Sequence, residues 1–455
     1  MHRIFNFLGK LSFPGYLLKW LLITAPVSVA VGSLVALFLW LLDWATVTRW
    51  GHEWLLYALP MAGLAIHFLY KVYGKSSEKG NNLIIDEIHR PGGGVPLAMA
   101  PLVLVTTVVT HLFGGSAGRE GTAVQIGGSI AHLFGRRFGL SPVEVKTLLM
   151  AGIAAGFGAV FGTPFAGMMF AMEVLVVGRV HFRAAIPCLM AAFIGDWATS
   201  AWGIHHTHYS IAPLPGGYRF YGVHIEGFLL LKSALAGIAF GAAAYIFAAF
   251  THTVGAAAKK FFRRQWLVPL AGGLLVIALV YVSGTTDYLG LGVTGKSAGS
   301  VSIVSAFSGR GVTEWSWLWK IVFTGVTLGM GFKGGEVTPL FFIGATLGSA
   351  LAVVASVPVD VFAGIGFIAV FAAATNTPLA CGVMGIELFG HQYAIYFFAA
   401  CFVAYLFHRE TGIYSSQRIR AINEKSGEPF TLADIKKRRT RINRIRLYKG
   451  RRFFK

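Results

Sequence analysis

Gly114-Gly-Ser-Ala-Gly-Arg-Glu-Gly-Thr122 sets one arginine and one glutamate inside a glycine-rich turn between apolar stretches. Upstream, Leu97–Phe113 carries no formally charged residue; downstream, Ala123–Leu133 opens a second apolar segment. A carboxylate at that depth, Glu120, is costly unless paired or protonated, so an intramembrane acid points to function. The surrounding glycines let backbone N–H groups approach a ligand, and the N-terminus of the following helix adds positive potential. A place that attracts anions and also holds a titratable acid can exchange one for the other. The turn therefore implies anion movement coupled to protons.

The rest of the chain is built for lipid. It is 55% hydrophobic and only 13% charged, with a mean hydropathy of +0.65, whereas a soluble protein is about a quarter charged. Apolar stretches recur at Trp20–Leu42, Trp54–Tyr70, Leu97–Phe113, Leu148–Val177, Ala184–Trp202, Phe228–Phe250 and Leu267–Val282. Several exceed the roughly 20 residues that cross a bilayer. An all-α, polytopic membrane protein is expected. The net charge of +20 does not indicate nucleic acid, because 15 of the 39 Lys and Arg fall in residues 408–455 against four acids. Others flank apolar spans, as cytoplasmic, lipid-facing positives do. No small-residue cleavage site follows Arg3 and Lys10 at signal-peptide distance, so the N-terminus is expected to stay attached and cytoplasmic. Cys188, Cys381 and Cys401 lie far apart in apolar surroundings and read as buried structural thiols.

Two stretches are alike. Gly118-Arg-Glu-Gly-Thr122 is followed by Gly127, Thr163-Pro164 and Glu173; Gly335-Glu-Val-Thr-Pro339 is followed by Gly344, Thr377-Pro378 and Glu387. The Pro-to-Glu interval is nine residues in each. Such duplication suits transporters whose two repeats meet around a midplane site made from interrupted helices. The division expected is a transmembrane domain over residues 1–407, with repeats at roughly 15–205 and 225–407, and a basic cytoplasmic tail over 408–455. Close helix packing by small residues is the alternative reading of these glycines.

These residues resemble the CLC family of chloride channels and anion/proton antiporters across most of residues 15–416. Gly118-Arg-Glu-Gly-Thr122 resembles the family's GREGP turn, whose glutamate is the external gate and proton carrier. Gly335-Glu-Val-Thr-Pro339 resembles its GxFxP turn. Asn81 lies where the family's central serine is expected, and Tyr414 where its central-anion tyrosine is expected. The departures at Asn81, Thr122 and Val337 resemble the fluoride-exporting branch, as does Gly80–His89. The resemblance implies an inverted repeat of tilted and broken helices, with Glu120 as gate and proton carrier. The anion site it implies comprises Asn81, Gly118, Arg119, Gly121, Thr122, Val337, Thr338 and Tyr414, the tail to about residue 416 completing it. It further implies fluoride and protons as substrates, a homodimer, no cofactor or metal, and a multi-pass protein of the bacterial inner membrane with both termini cytoplasmic.

Fluoride holds its water tightly, so its site needs dense donors, and the Asn81 amide, the Thr338 and Tyr414 hydroxyls and the turns' N–H groups are such donors. An ordinary turn or helix-capping asparagine accounts for Asn81 or Asn82 equally. The inward proton glutamate of the best-known family antiporters aligns with Val174, next to Glu173, so Glu120 is expected to carry its proton across. Glu387 reads as a buried acid that is paired or caps a helix end, and Glu336 is a secondary site candidate. His205, His206 and His208 fit either a polar loop or, less well without a carboxylate partner, a metal site. A chloride/proton antiporter and a passive channel remain the alternatives to fluoride/proton antiport. An enzyme is disfavoured, because no catalytic constellation accompanies the spans.

Overall fold

The structure, a computed structural model, describes residues 13–214, 216–407, 410–423, 428–435 and 437. Arg3, Lys10 and most of the basic tail lie outside the described residues. The first repeat contains α1 (Phe13–Gly51), α2 (Leu59–Leu69), α3 (Asn81–His89), α4 (Met99–Leu112), α5 (Glu120–Arg137), α6 (Pro142–Phe161), α7 (Pro164–Glu173) and α8 (Ala185–Ala201). The second contains α9 (Gly227–Phe261), α10 (Leu267–Ser283), α11 (Ile303–Ser308), α12 (Ser316–Gly329), α13 (Val337–Ala355), α14 (Val359–Thr375), α15 (Pro378–Phe389) and α16 (Ala394–Phe407).

Among the described residues, six helical segments are long and apolar enough to cross a membrane. At 39 residues, α1 is roughly twice the length a bilayer requires, so it must tilt or project beyond the hydrocarbon. Its Leu37, Trp40, Trp44 and Val47 are exposed, as befits side chains whose solvent is lipid. The two sheets are small antiparallel hairpins, Tyr218–Phe220 with Val223–Ile225 and Arg418–Asn423 with Glu428–Thr431.

The apolar run Leu148–Val177 is not one span. Gly162 takes the left-handed conformation at φ 70° and ends α6, and Pro164 opens α7. Proline has no N–H to give a preceding turn, so it starts a helix more readily than it continues one. The second repeat uses Asn376, at φ 58°, and Pro378 in the same places. Close packing follows the repeat as well. A Cβ on Gly127 would stand 2.0 Å from the Gly152 carbonyl oxygen, and one on Gly344 would stand 2.0 Å from that of Gly366. The helix pairs α5/α6 and α13/α14 therefore touch backbone to backbone, as small-residue packing allows.

Two glutamates lock the repeats together. Glu173, ending α7, accepts from the Leu379 and Ala380 N–H groups at 3.1 and 2.8 Å. Glu387, near the end of α15, accepts from the Phe165 and Ala166 N–H groups at 2.9 and 2.7 Å. Each repeat thus supplies the carboxylate that satisfies the orphan N–H donors opening the other's helix. After α16 the chain returns to this core. The Ile413 N–H donates to the Ala374 carbonyl at 2.9 Å, and Arg418 exchanges backbone bonds with Leu175 and Val177.

Candidate functional site

The two glycine turns meet face to face. Gly118 and Gly335 form an isolated antiparallel bridge, with N–H to carbonyl distances of 2.6 and 2.7 Å. A Cβ on Gly335 would lie 2.9 Å from the Gly121 nitrogen, so a side chain there would part the turns. The N-termini of α5 and α13 converge on this bridge. In α5 the i to i−4 ladder begins with Ala123 donating to Arg119, which leaves the earlier N–H groups free of helical partners.

Glu120 is 1% exposed and its carboxylate takes up donors an anion would use. Oε2 accepts from the Thr338 N–H at 2.9 Å and from the Arg119 N–H at 3.1 Å. Oε1 accepts from the Thr338 hydroxyl, and Arg119 Nε lies 3.8 Å from it. One carboxylate thereby joins both turns. These donors hold a negative charge and cannot hold a second one at the same place.

Asn81 opens α3 after Gly80, whose φ is 56°. Its Nδ2 lies 3.2 Å from the position of a Cβ on Gly121. The Asn81 side chain interacts with the Tyr414 phenol, in the neighbourhood of Glu336 and Glu120. Asn81 Oδ1 is buried without a hydrogen bond from any described residue, and no side-chain cap bond forms at this helix start. Asn82 instead accepts from the Ser416 N–H at 2.9 Å. Of the adjacent asparagines, Asn81 thus faces the turns and Asn82 anchors the returning chain.

The other candidates divide. Val337 is buried in the first turn of α13. Thr122 is buried with its hydroxyl 2.8 Å from that of Thr107 on α4, so its side chain ties α5 to α4 and only its backbone is left for an anion at the turn. Among the described residues, no three His, Cys, Asp or Glu gather as a metal site would require. His206 Nε2 lies 3.5 Å from Asp196 Oδ1 but makes no hydrogen bond of good geometry.

Aromatic rings flank the path. Phe341 stacks on Phe367 with centroids 3.9 Å apart, and both line a narrow cavity with Glu120, Arg119 and Thr338. Phe170 stacks on Phe157 and Phe371 and meets Tyr414 edge-on at 6.5 Å. Arg119, His206, Thr207 and Val293 also line a wider vestibule of about 460 Å³. The vestibule and the narrow cavity thus share a wall, and the narrow cavity reaches Glu120 and Thr338. The stacked rings were not legible beforehand, since 37 phenylalanines conceal the few that meet.

Comparison with known proteins agrees with this arrangement. The family described as voltage gated chloride channel matches residues 62–409. A protein of Pseudomonas syringae pv. tomato named chloride/fluoride channel protein is 46% identical over 435 residues, covering 94% of this chain and 93% of that protein. An H(+)/Cl(-) exchange transporter of Yersinia pestis bv. Antiqua is 29% identical over 285 residues, 60% of this chain and 56% of that protein. The crystal structure of a CLC-type fluoride/proton antiporter superposes with a TM-score of 0.82 at 33% identity, covering 90% of this chain and 100% of that one. A slow cyanobacterial Cl-/H+ antiporter shares the fold, with a TM-score of 0.68 at 18% identity over 92% of this chain and 98% of that one.

Proposed function

This chain belongs to the voltage-gated chloride channel (CLC) family, and from that membership we propose that it is a fluoride/proton antiporter exporting cytoplasmic fluoride. It is an integral, multi-pass CLC-type protein, an anion/proton antiporter or a channel. Fluoride is supported by Asn81 where a serine is the family's usual residue, by the Gly335-Glu-Val-Thr-Pro339 turn, and by the relatives whose names and titles specify fluoride.

The observation that carries the proposal is the Glu120 carboxylate on the Thr338 and Arg119 N–H groups and the Thr338 hydroxyl. Protonation removes the charge that these donors hold, and a charge-assisted bond is roughly twice as strong as a neutral one. The neutral side chain then yields the donors to an anion. The proton is given up on the cytoplasmic side, and when the anion leaves, the bare carboxylate returns to the donors. Protons therefore move against the anions displaced. Val174 carries no proton and Glu173 is held by the Leu379 and Ala380 N–H groups. Glu120 itself then takes the proton inward, toward Asn81, Tyr414 and Glu336.

In this reading residues 1–407 are the transport domain, and the tail from 408 is cytoplasmic, its first residues delivering Tyr414 to the anion. Both termini face the cytoplasm of a bacterial cell and the protein is a homodimer, which cross-linking in native membranes tests. The transport assignment is tested with purified protein in liposomes, by anion-selective electrodes that compare fluoride with chloride efflux. Preference for fluoride supports the proposal, and equal or greater chloride efflux with proton pumping would make the protein a chloride/proton antiporter. Anion flux with no proton movement would make it a passive channel.

A further inference from the structure

Arg49 is a buried cation with no partner among the described residues. It stands in the last turn of α1, is only 8% exposed, and lines the vestibule outside Glu120. Among the described residues its guanidinium makes no ion pair and no hydrogen bond, and its Nε is fully buried without a partner. Arginine stays charged in proteins and carries five N–H donors. Its place at a helix C-terminus is electrostatically favourable, yet its donors reach none of the carbonyls there.

The surroundings are arranged around this charge. A Cβ on Gly290 would stand 3.1 Å from Arg49 Nη2, while the Gly290 carbonyl accepts from the buried Lys320 at 2.9 Å. The Gly290 N–H in turn donates to Gly115 at 3.2 Å, which ties this loop to the first glycine turn. Arg119, whose Nε is likewise buried without a hydrogen bond, lines the same vestibule. Asp43 and Asp287 line it as well, but Asp287 is engaged by the Val301 N–H at 2.8 Å and neither pairs with Arg49. A desolvated, unpaired charge is strongly unfavourable, and buried charges are found paired.

We propose that Arg49 holds a small monovalent anion in the vestibule, a binding station separate from the donors that Glu120 occupies. With a cavity of about 460 Å³, the ion keeps part of its water on the open side while the guanidinium donates from the other. Arg119 lies between this station and Glu120, so an ion leaving the gate passes from one guanidinium to the next. That the occupant is the transported ion rests on the fluoride reading above; anion binding on Arg49 does not.

Two measurements on the full-length protein separate these parts. Crystals soaked in bromide are examined by anomalous scattering, and thermal unfolding is followed in bromide against gluconate. A peak within hydrogen-bond distance of Arg49, with bromide raising Tm, is expected for the parent and absent in Arg49→Met. Arg49→Lys keeps the charge and retains a weakened response, which guards against misfolding of the Met variant. No peak and no stabilisation of the parent overturns the site. In liposomes, Arg49→Met should raise the fluoride concentration for half-maximal transport several-fold, with coupling intact. An unchanged concentration dependence overturns its role as a station on the route. Bromide bound at Arg49 in a protein that moves no fluoride would leave the site standing and remove the fluoride reading alone.

Discussion

Removing the Thr338 hydroxyl should change anion affinity by an amount that depends on whether Glu120 is present. That hydroxyl donates to Glu120 Oε1, and the Thr338 N–H donates to Oε2 at 2.9 Å. If an anion replaces the carboxylate on the same donors, both competitors lose the same bond in Thr338→Val. Observed affinity is then a ratio in which the loss cancels. With Glu120→Ala there is no competitor, and the whole loss falls on the anion. A hydrogen bond to a charged group contributes about 1.5–3 kcal/mol, roughly ten- to 150-fold in affinity. Fluoride titrated calorimetrically into the parent, both single variants and the double variant forms a double-mutant cycle. Thr338→Val alone should weaken binding by less than about threefold, and in the Glu120→Ala background by about tenfold or more. Equal losses in both backgrounds would refute competition for shared donors, because the hydroxyl would then serve the anion at a place Glu120 never fills.

Three further outcomes follow from the geometry. Glu387→Gln leaves one of the Phe165 and Ala166 N–H groups without its carboxylate oxygen and should cost about 1–3 kcal/mol; an unchanged unfolding midpoint in detergent would contradict the capping role. Gly344→Ala puts a methyl 2.0 Å from the Gly366 oxygen and should cost at least about 1–3 kcal/mol by overpacking, which the same unfolding assay reads. Asn81→Ser should raise chloride transport relative to fluoride, and an unaltered ratio in liposome efflux would reject Asn81 as the residue that selects the ion.

The glycine turns and the order of the repeat were readable because they are local. A backbone approach that excludes Cβ demands glycine at Gly118 and Gly335, and a helix restarting directly after a break favours Pro164 and Pro378 in its first turn. The equal spacing of Glu173 and Glu387 was visible, and so was a capping role for Glu387, yet which helix each caps was not, since each partner lies more than 200 residues away. The direction of the Thr122 side chain depends on where α4 packs, which no motif records. Leu148–Val177 read as one apolar run because hydropathy does not register a left-handed Gly162. Arg49 resembled any basic residue at the end of a span; only its burial with no partner among the described residues sets it apart.

The central claim is that one carboxylate exchanges a proton for an anion, and proton uptake into liposomes under an imposed fluoride gradient tests it most directly. The parent should acidify or alkalinise the lumen in proportion to fluoride moved, against an opposing proton gradient. Glu120→Gln, which keeps the shape of the side chain and cannot ionise, should move no protons while fluoride flux slows or becomes passive. Undiminished proton pumping by Glu120→Gln would contradict the account.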